Sequence, residues 1–329
     1  MKALVYTNPK QLTYKDVEDP IVTDGNHLVR IDSVGICGSD MHAFLGHDER
    51  RPSPLILGHE AAGVIVGGIR NGERVTINPL VACEACDACL SGRDNICADR
   101  QLISIPPYQG AFAELVSIPD KNLVTVPTHV PLHKAALVEP IACGWHTIKL
   151  ALATVNKDQK KIKVLVIGGG AIGLGTALSF QALGINNVTM IESNIIRLEY
   201  LKKHCNQNVL LPDVLKNNSD FDIVVDGVGY EATRRMASAQ VRPGGVIAHI
   251  GLGSPLGGLD IRRMTLQEIT FIGTYTYTSK DFLDTATAIF NGQLGHLNWT
   301  DARHLSDGKA AFEEIKNGSV MAPKIILKP

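Results

Sequence analysis

The sequence predicts an α/β protein of two domains, one β-rich and one built on a doubly wound parallel sheet. Three observations carry this. The opening residues, as far as Val34, run as short strands in which apolar and polar positions alternate. From Lys163 on, short apolar runs alternate with helix-length segments, the pattern of a parallel sheet covered by crossover helices. A chain of 329 residues is long for one core, and two domains are the prior expectation.

Composition narrows the function. With 45% hydrophobic and 20% charged residues, the chain has the make-up of a soluble globular protein. A net charge of −1 argues against a nucleic-acid or anionic-membrane partner. The first nine residues lack the apolar centre of a signal peptide, and no apolar window reaches the length of a membrane span. The seven cysteines therefore read as metal ligands or free thiols, not as a disulfide framework, and the cytoplasm is the expected compartment.

In chain order, strands are expected at 3–6, 12–17 and 28–34, punctuated by Pro9, Pro20 and Gly25. A short helix should follow at 39–45, with Ser39 or Asp40 as its N-cap. It lies within Gly35-Ile36-Cys37-Gly38-Ser39-Asp40-Met41-His42, and Gly58-His59-Glu60 comes soon after. Together these stretches offer a thiolate, an imidazole and a carboxylate, the donor set of a zinc ion with an open coordination position. Such an ion lowers the pKa of a hydroxyl bound to it. Strands at 64–66 and 74–77 flank a glycine-rich turn at 67–72.

The strongest single signal is Cys83-x-x-Cys86-x-x-Cys89-x7-Cys97. Four thiols so close together, in loop-like sequence, suit a closed tetrahedral zinc. An iron–sulfur cluster is the rival, and the spacing disfavours it. The bacterial ferredoxin run has three residues before its last cysteine and a proline after it; here there are seven residues, and then Ala98. Residues 110–116 read as a loop entering a strand, and a helix beginning at 132 leads to Glu139-Pro140. A carboxylate inside an apolar run needs a partner, and a metal is one.

Residues 163–167 form an apolar run of the length of a buried parallel strand. Gly168-Gly169-Gly170-Ala171-Ile172-Gly173 follows at once and opens a helix running to 183. This is G-x-G-x-x-G between strand and helix, where glycines allow a tight turn and close approach of a pyrophosphate to the helix N-terminus. The next strand, 188–191, ends at Glu192, nineteen residues after Gly173, about where an acid holds an adenosine ribose. The expected cofactor-binding residues are Gly168, Gly170, Ile172, Gly173, Glu192 and Arg197. Strands at 222–225, 245–250 and 269–273, and a helix at 231–240, continue the alternation. Helices at 281–290 and 308–316 and a last strand at 325–327 are expected to return to the first domain.

On these motifs, in this order and over nearly the whole chain, the sequence resembles the zinc-dependent medium-chain dehydrogenases. Within them it is most similar to the polyol (sorbitol-type) branch. The resemblance implies a GroES-like β-rich catalytic domain at 1–142 and 275–329, interrupted by a Rossmann NAD-binding domain at 143–274. It implies two zinc ions per chain, NAD, and a homodimer or homotetramer. By position, Cys37 and His59 become catalytic-zinc ligands, and either Glu139 or Glu60 completes the shell. Ser39 matches the hydroxyl that takes the substrate proton, and His42 the group that passes it outward. Cys83, Cys86, Cys89 and Cys97 match the structural zinc site. Glu192 points to NAD over NADP. Thr276 stands where sorbitol-type members often carry an arginine that reaches the polyol, which points to a shorter or less hydroxylated alcohol than sorbitol.

The expected activity is NAD-linked oxidation of a secondary alcohol, a sugar alcohol or related polyol. One alternative is a general alcohol dehydrogenase or carbonyl reductase without polyol preference. Another is a zinc-ribbon interaction module, suggested by the cysteine run alone and opposed by the neutral charge and the complete dinucleotide motif. Cys143 and Cys205 have no assigned partner.

Overall fold

The alternating segments at the start of the chain pair as the pleat requires. In this computed structural model, which describes residues 1–215 and 220–329, β1 (Lys2–Asn8) and β2 (Gln11–Asp16) form an antiparallel pair. There follow β3 (Asn26–Gly35), α1 (Gly38–Phe44), β4 (Leu55–Ile56), β5 (Glu60–Val66) and β6 (Arg74–Ile77). β7 (Leu80–Val81) and β8 (Gln101–Leu102) pair antiparallel and close the lobe that carries the four clustered cysteines and the short α2 (Asp87–Leu90). β9 (Leu115–Pro119), β10 (Leu123–Thr125) and α3 (Leu132–Ala135) complete this part, and α4 (Val138–Leu152) leads out of it.

The βα alternation then begins. β11 (Val164–Ile167), α5 (Ala171–Ala182), β12 (Val188–Ile191), α6 (Ile195–Cys205) and β13 (Val209–Leu210) form one half. β14 (Phe221–Asp226), α7 (Glu231–Gln240), β15 (Val241–His249), α8 (Ile261–Leu266) and β16 (Thr270–Gly273) form the other. Every pairing in this sheet is parallel, and the strand order is β13-β12-β11-β14-β15-β16. The order reverses between β11 and β14, so the glycine motif after β11 stands at the switch point where ligands of such sheets bind. Leu165, Ile167, Val224 and Ile247 are buried in its core, as unbroken apolar runs in a parallel sheet should be.

The chain ends with α9 (Ser279–Phe290), β17 (Thr300–His304), α10 (Gly308–Lys316) and β18 (Lys324–Lys328). Two compact units result. The first comprises Met1–Pro140, Thr278–Gly292 and Thr300–Pro329; the second comprises Ile141–Tyr277 and Gln293–Trp299. The excursion of Gln293–Trp299 into the second unit is absent from the sequence reading. In the first unit β3 is the pivot: β5, β9 and β18 all pair with it antiparallel. Its core includes Phe44, Phe112 and Phe312, with the Phe312 ring centroid 5.2 Å from Phe44 and 5.9 Å from Phe112. Among the described residues, no helix is long and apolar enough to cross a membrane.

Candidate active site

β3 ends at Gly35 and β5 begins at Glu60, and these two residues are cross-strand partners. β18 also pairs with β3, Ile326 opposite Gly35. Three strands thus bring Cys37, His59, Glu60 and Lys324 to one place. The ligand atoms of Cys37, His59 and Glu60 lie within 4.8 Å of one another. A Cβ on Gly35 would stand 2.0 Å from Glu60 Oε2, so any side chain there would push the carboxylate out of this place.

The N-cap of α1 is Cys37, and Ser39 and Asp40 both lie inside the helix, so the expected cap at one of these two is corrected to Cys37. Asp40 occupies the third helical position and its carboxylate accepts from Cys37 N at 3.0 Å and Gly58 N at 3.2 Å. Its Oδ1 lies 3.5 Å from His59 Nδ1, and Ser104 Oγ lies 3.4 Å from the same nitrogen. With Nδ1 turned to these partners, Nε2 is the nitrogen left for a metal. Burial opposes the charge on Asp40, yet His59 and Arg51 hold its pKa below the ordinary value. Burial likewise opposes a charged His59, but Asp40 and the Cys37 sulfur outweigh it and raise the imidazole pKa well above its usual range. The field of the site favours a positive charge at this point.

Lys324 is buried and its Nζ donates to Glu60 Oε1 at 2.6 Å and to Ile36 O at 2.8 Å. Burial works against its charge; Glu60, Cys37 and Glu139 overcome that and hold its pKa above the ordinary lysine value. Glu60 Oε2 is buried with no hydrogen-bond partner among the described residues. A bare carboxylate oxygen in a protein interior is costly, and a cation would satisfy it. Sulfur, imidazole and carboxylate together fit zinc. Ser39 Oγ is also buried with no partner among the described residues. His42 is half-buried, three residues further along α1 and so on a neighbouring position of the helix surface. Glu139 is buried in the first turn of α4; it lies outside the cluster of three but close enough for its charge to act on Lys324.

The four-cysteine lobe has a second donor set. The Cys83–Cys97 and Cys86–Cys89 sulfurs are 3.5 Å apart and the Cys83–Cys89 sulfurs 3.9 Å apart. A tetrahedron with metal–sulfur bonds of about 2.3 Å has edges of about 3.8 Å, so the geometry fits a tetrathiolate zinc. Backbone N–H groups of Ala85 and Cys86 point at the Cys83 sulfur and push its pKa down to about 6.

In the second unit, Gly168 has φ of +100°, and a Cβ on Gly173 would lie 1.8 Å from Gly168 O. The turn and the packing of α5 on β11 therefore demand both glycines. Gly170 is different. An added Cβ there would meet nothing within 4 Å, so the packing of the protein leaves that space to a group approaching the start of α5. Ile172 is half-buried in the first turn of α5. Glu192, buried, accepts from Gly169 N at 3.0 Å and Asn194 N at 2.7 Å, and Arg197 Nη1 lies 4.0 Å from its Oε2. Thr276 has φ of +45°, with Oγ1 buried and unbonded among the described residues.

Sequence reasoning missed Lys324 altogether and read Asp40 only as a possible cap. The lysine is 264 residues from Glu60 and carries no motif. Its one signal was a charge opening the apolar run of the last strand.

Residues 23–128 match the family model of the alcohol dehydrogenase GroES-like domain, and residues 171–291 match that of the zinc-binding dehydrogenases. The L-galactonate-5-dehydrogenase of Escherichia coli (strain K12) is 31% identical over 313 residues, covering 89% of this chain and 88% of its own. The sorbitol dehydrogenase of Bacillus subtilis (strain 168) is 29% identical over 298 residues, covering 85% and 83%. The acetophenone reductase of Geotrichum candidum NBRC 4597, solved in complex with NAD, superposes with a TM-score of 0.87 at 25% identity, over 100% of this chain and 97% of that one. The chain belongs to the zinc-binding alcohol dehydrogenase family and is an oxidoreductase. The resemblance and the fold class read from the motifs are borne out.

Proposed function

We propose that this chain transfers hydride between a secondary alcohol, a sugar alcohol or related polyol, and NAD. The observation that carries the reading is the Glu60 carboxylate, held by Lys324 through one oxygen and, among the described residues, without a partner at the other, beside Cys37 and His59. The names of the galactonate and sorbitol enzymes support a polyhydroxylated substrate. Zinc held by Cys37, His59 and either Glu60 or Glu139 supplies polarisation of the substrate oxygen. Ser39 binds the same hydroxyl through its Oγ, accepting the substrate proton as it releases its own. His42, about one helical turn on, carries the released proton outward. Asp40 fixes the orientation of His59. NAD, seated on the glycine motif, supplies the hydride acceptor. Glu192 has acceptor positions left for two ribose hydroxyls and repels a 2′-phosphate. The four-cysteine lobe holds the structural zinc.

A homo-oligomer is part of the proposal. β16 is an edge strand with Phe271 exposed, and Leu252, Leu256, Ile261 and Leu266 are exposed in the same unit. So are a cytoplasmic location and the absence of nucleic-acid or membrane partners. Thr276 offers one short hydroxyl where a long polyol would be gripped by arginine, which favours a substrate shorter or less hydroxylated than sorbitol. The test is kcat/KM for NAD reduction across alcohols with two to six hydroxyls. Turnover peaking below six hydroxyls is expected. Sorbitol as best substrate removes the inference from Thr276, and no turnover with any of them removes the proposed function.

A further inference from the structure

The four-cysteine lobe grips the rest of its unit at a point the proposed chemistry does not use. Asp94 lies in the single turn Asp94–Ile96, between Cys89 and Cys97. Its carboxylate accepts from Ser279 N, at 2.9 Å to Oδ2 and 3.3 Å to Oδ1, and from Ser279 Oγ. These partners are 185 residues apart in sequence. Ser279 is the first residue of α9. The N–H groups of a first helical turn have no acceptor within the helix, and a negative charge there is favoured by the helix dipole. Thr278 Oγ1 caps the same turn locally, accepting from Asp281 N at 3.1 Å. The start of α9 is therefore held twice, once by its own N-cap and once by the lobe.

That turn is a sensitive place. The chain passes from the second unit to the first between Tyr277 and Thr278. Just before it, Thr276 has φ of +45° and a buried hydroxyl with no hydrogen-bond partner among the described residues. A β-branched residue rarely adopts this conformation, and it persists only where both flanks are fixed. Upstream, Thr274 N donates to His249 O at 2.9 Å, and Thr274 Oγ1 lies 2.9 Å from Thr147 Oγ1. Downstream, the fixed point is the doubly held turn of α9.

We propose that Asp94 is a positioning residue that ties the metal-bearing lobe to the first turn of α9, and so holds the strained Thr276 segment that leads into it. The proposal rests on the reading of the lobe as a zinc site. In consequence, metal in the lobe stiffens not only the lobe but the point where the chain changes units.

Hydrogen exchange over residues 276–282 of the full-length, zinc-loaded protein tests this, with zinc counted on the same samples. Asp94→Ala should speed exchange there about tenfold while keeping the wild-type zinc content, as expected when a charge-assisted cap is lost. Asp94→Asn, which keeps an acceptor oxygen, should recover part of the protection. Ser279→Ala approaches the contact from its other end, leaves every cysteine untouched, and should speed exchange in the same segment. Cys86→Ser should produce the same acceleration, with no further effect of Asp94→Ala upon it. The KM for the alcohol should rise severalfold in Asp94→Ala with the KM for NAD unchanged, a split that a merely stabilising contact would not produce. Unchanged exchange in Asp94→Ala, or additive effects of the two substitutions, overturns the proposal. A wild type with no zinc in the lobe overturns both it and the reading beneath it.

Discussion

Glu192→Ala should turn an NAD-selective enzyme into one that uses both cofactors. A carboxylate has about four acceptor positions. Gly169 N and Asn194 N occupy two of them, which leaves two for the ribose diol. Hydrogen bonds to a charged acceptor contribute about 1.5–3 kcal/mol each, so losing both costs NAD about 3–6 kcal/mol. At about 1.4 kcal/mol per factor of ten, kcat/KM for NAD should fall by roughly 10²–10⁴. NADP should gain, because a like charge is gone and Arg197 Nη1, 4.0 Å from the lost oxygen, can turn to the phosphate. The preference for NAD should therefore shrink by at least about 10². The two backbone N–H groups lose their acceptor as well, at about 1–3 kcal/mol each, so urea unfolding should show a loss of up to about 2–6 kcal/mol, less where water replaces the carboxylate. Initial rates with both cofactors at saturating alcohol are the assay, and Glu192→Gln separates charge from shape. A wild type that uses NADP within tenfold of NAD removes Glu192 as the selecting residue, as does an Ala variant that keeps the original preference.

Other outcomes follow from the same contacts. Lys324→Met leaves a buried carboxylate without its cation, and in chelator-treated protein it should cost about 3–5 kcal/mol of unfolding free energy. Adding Glu60→Gln should restore much of that, and a single-variant cost below about 1 kcal/mol contradicts the pairing. His42→Ala should slow alcohol oxidation most at low pH, where hydroxide cannot replace the missing base; an unchanged pH–rate profile removes His42 from the proton path. Asp222 lies buried between Lys157 at 2.7 Å and Arg242 at 2.6 Å, and although burial raises its pKa, these partners and Lys163 N lower it below the ordinary value. A depressed folded pKa gives stability that is present above the unfolded value of about 3.9 and lost as pH falls through the folded value. Asp222→Asn should therefore differ most from wild type at neutral pH, with the gap closing below about pH 3.9; a pH-independent gap contradicts this.

Much of the fold was legible because its signals are local. The run 188–191 and the segment 231–240 appear as β12 and α7 with the expected bounds. β15 begins at Val241, four residues before the expected start, because Pro243-Gly244-Gly245 reads as a turn while the sheet carries the strand through it. β17, Thr-Asp-Ala-Arg-His, has no apolar alternation and forms because the parallel partner β18 draws it to the sheet. The site divides in the same way. Cys37, His59 and Glu60 come from two short motifs, whereas Lys324 meets them only because β18 pairs with β3. Asp40 was visible as a residue but not in its role, since the contact with His59 depends on Gly58 N and Cys37 N fixing the carboxylate between two segments.

The role of zinc at Cys37 is tested most directly by a zinc count paired with NAD-linked alcohol oxidation, in the wild type and in Cys37→Ser. Two zinc ions per chain are expected in the wild type. In Cys37→Ser one is expected, with the fold retained, the four-cysteine lobe still loaded and oxidation abolished. Oxidation that survives Cys37→Ser, or a wild type that holds one zinc and is fully active, would rule out a catalytic zinc at Cys37 beside a structural one.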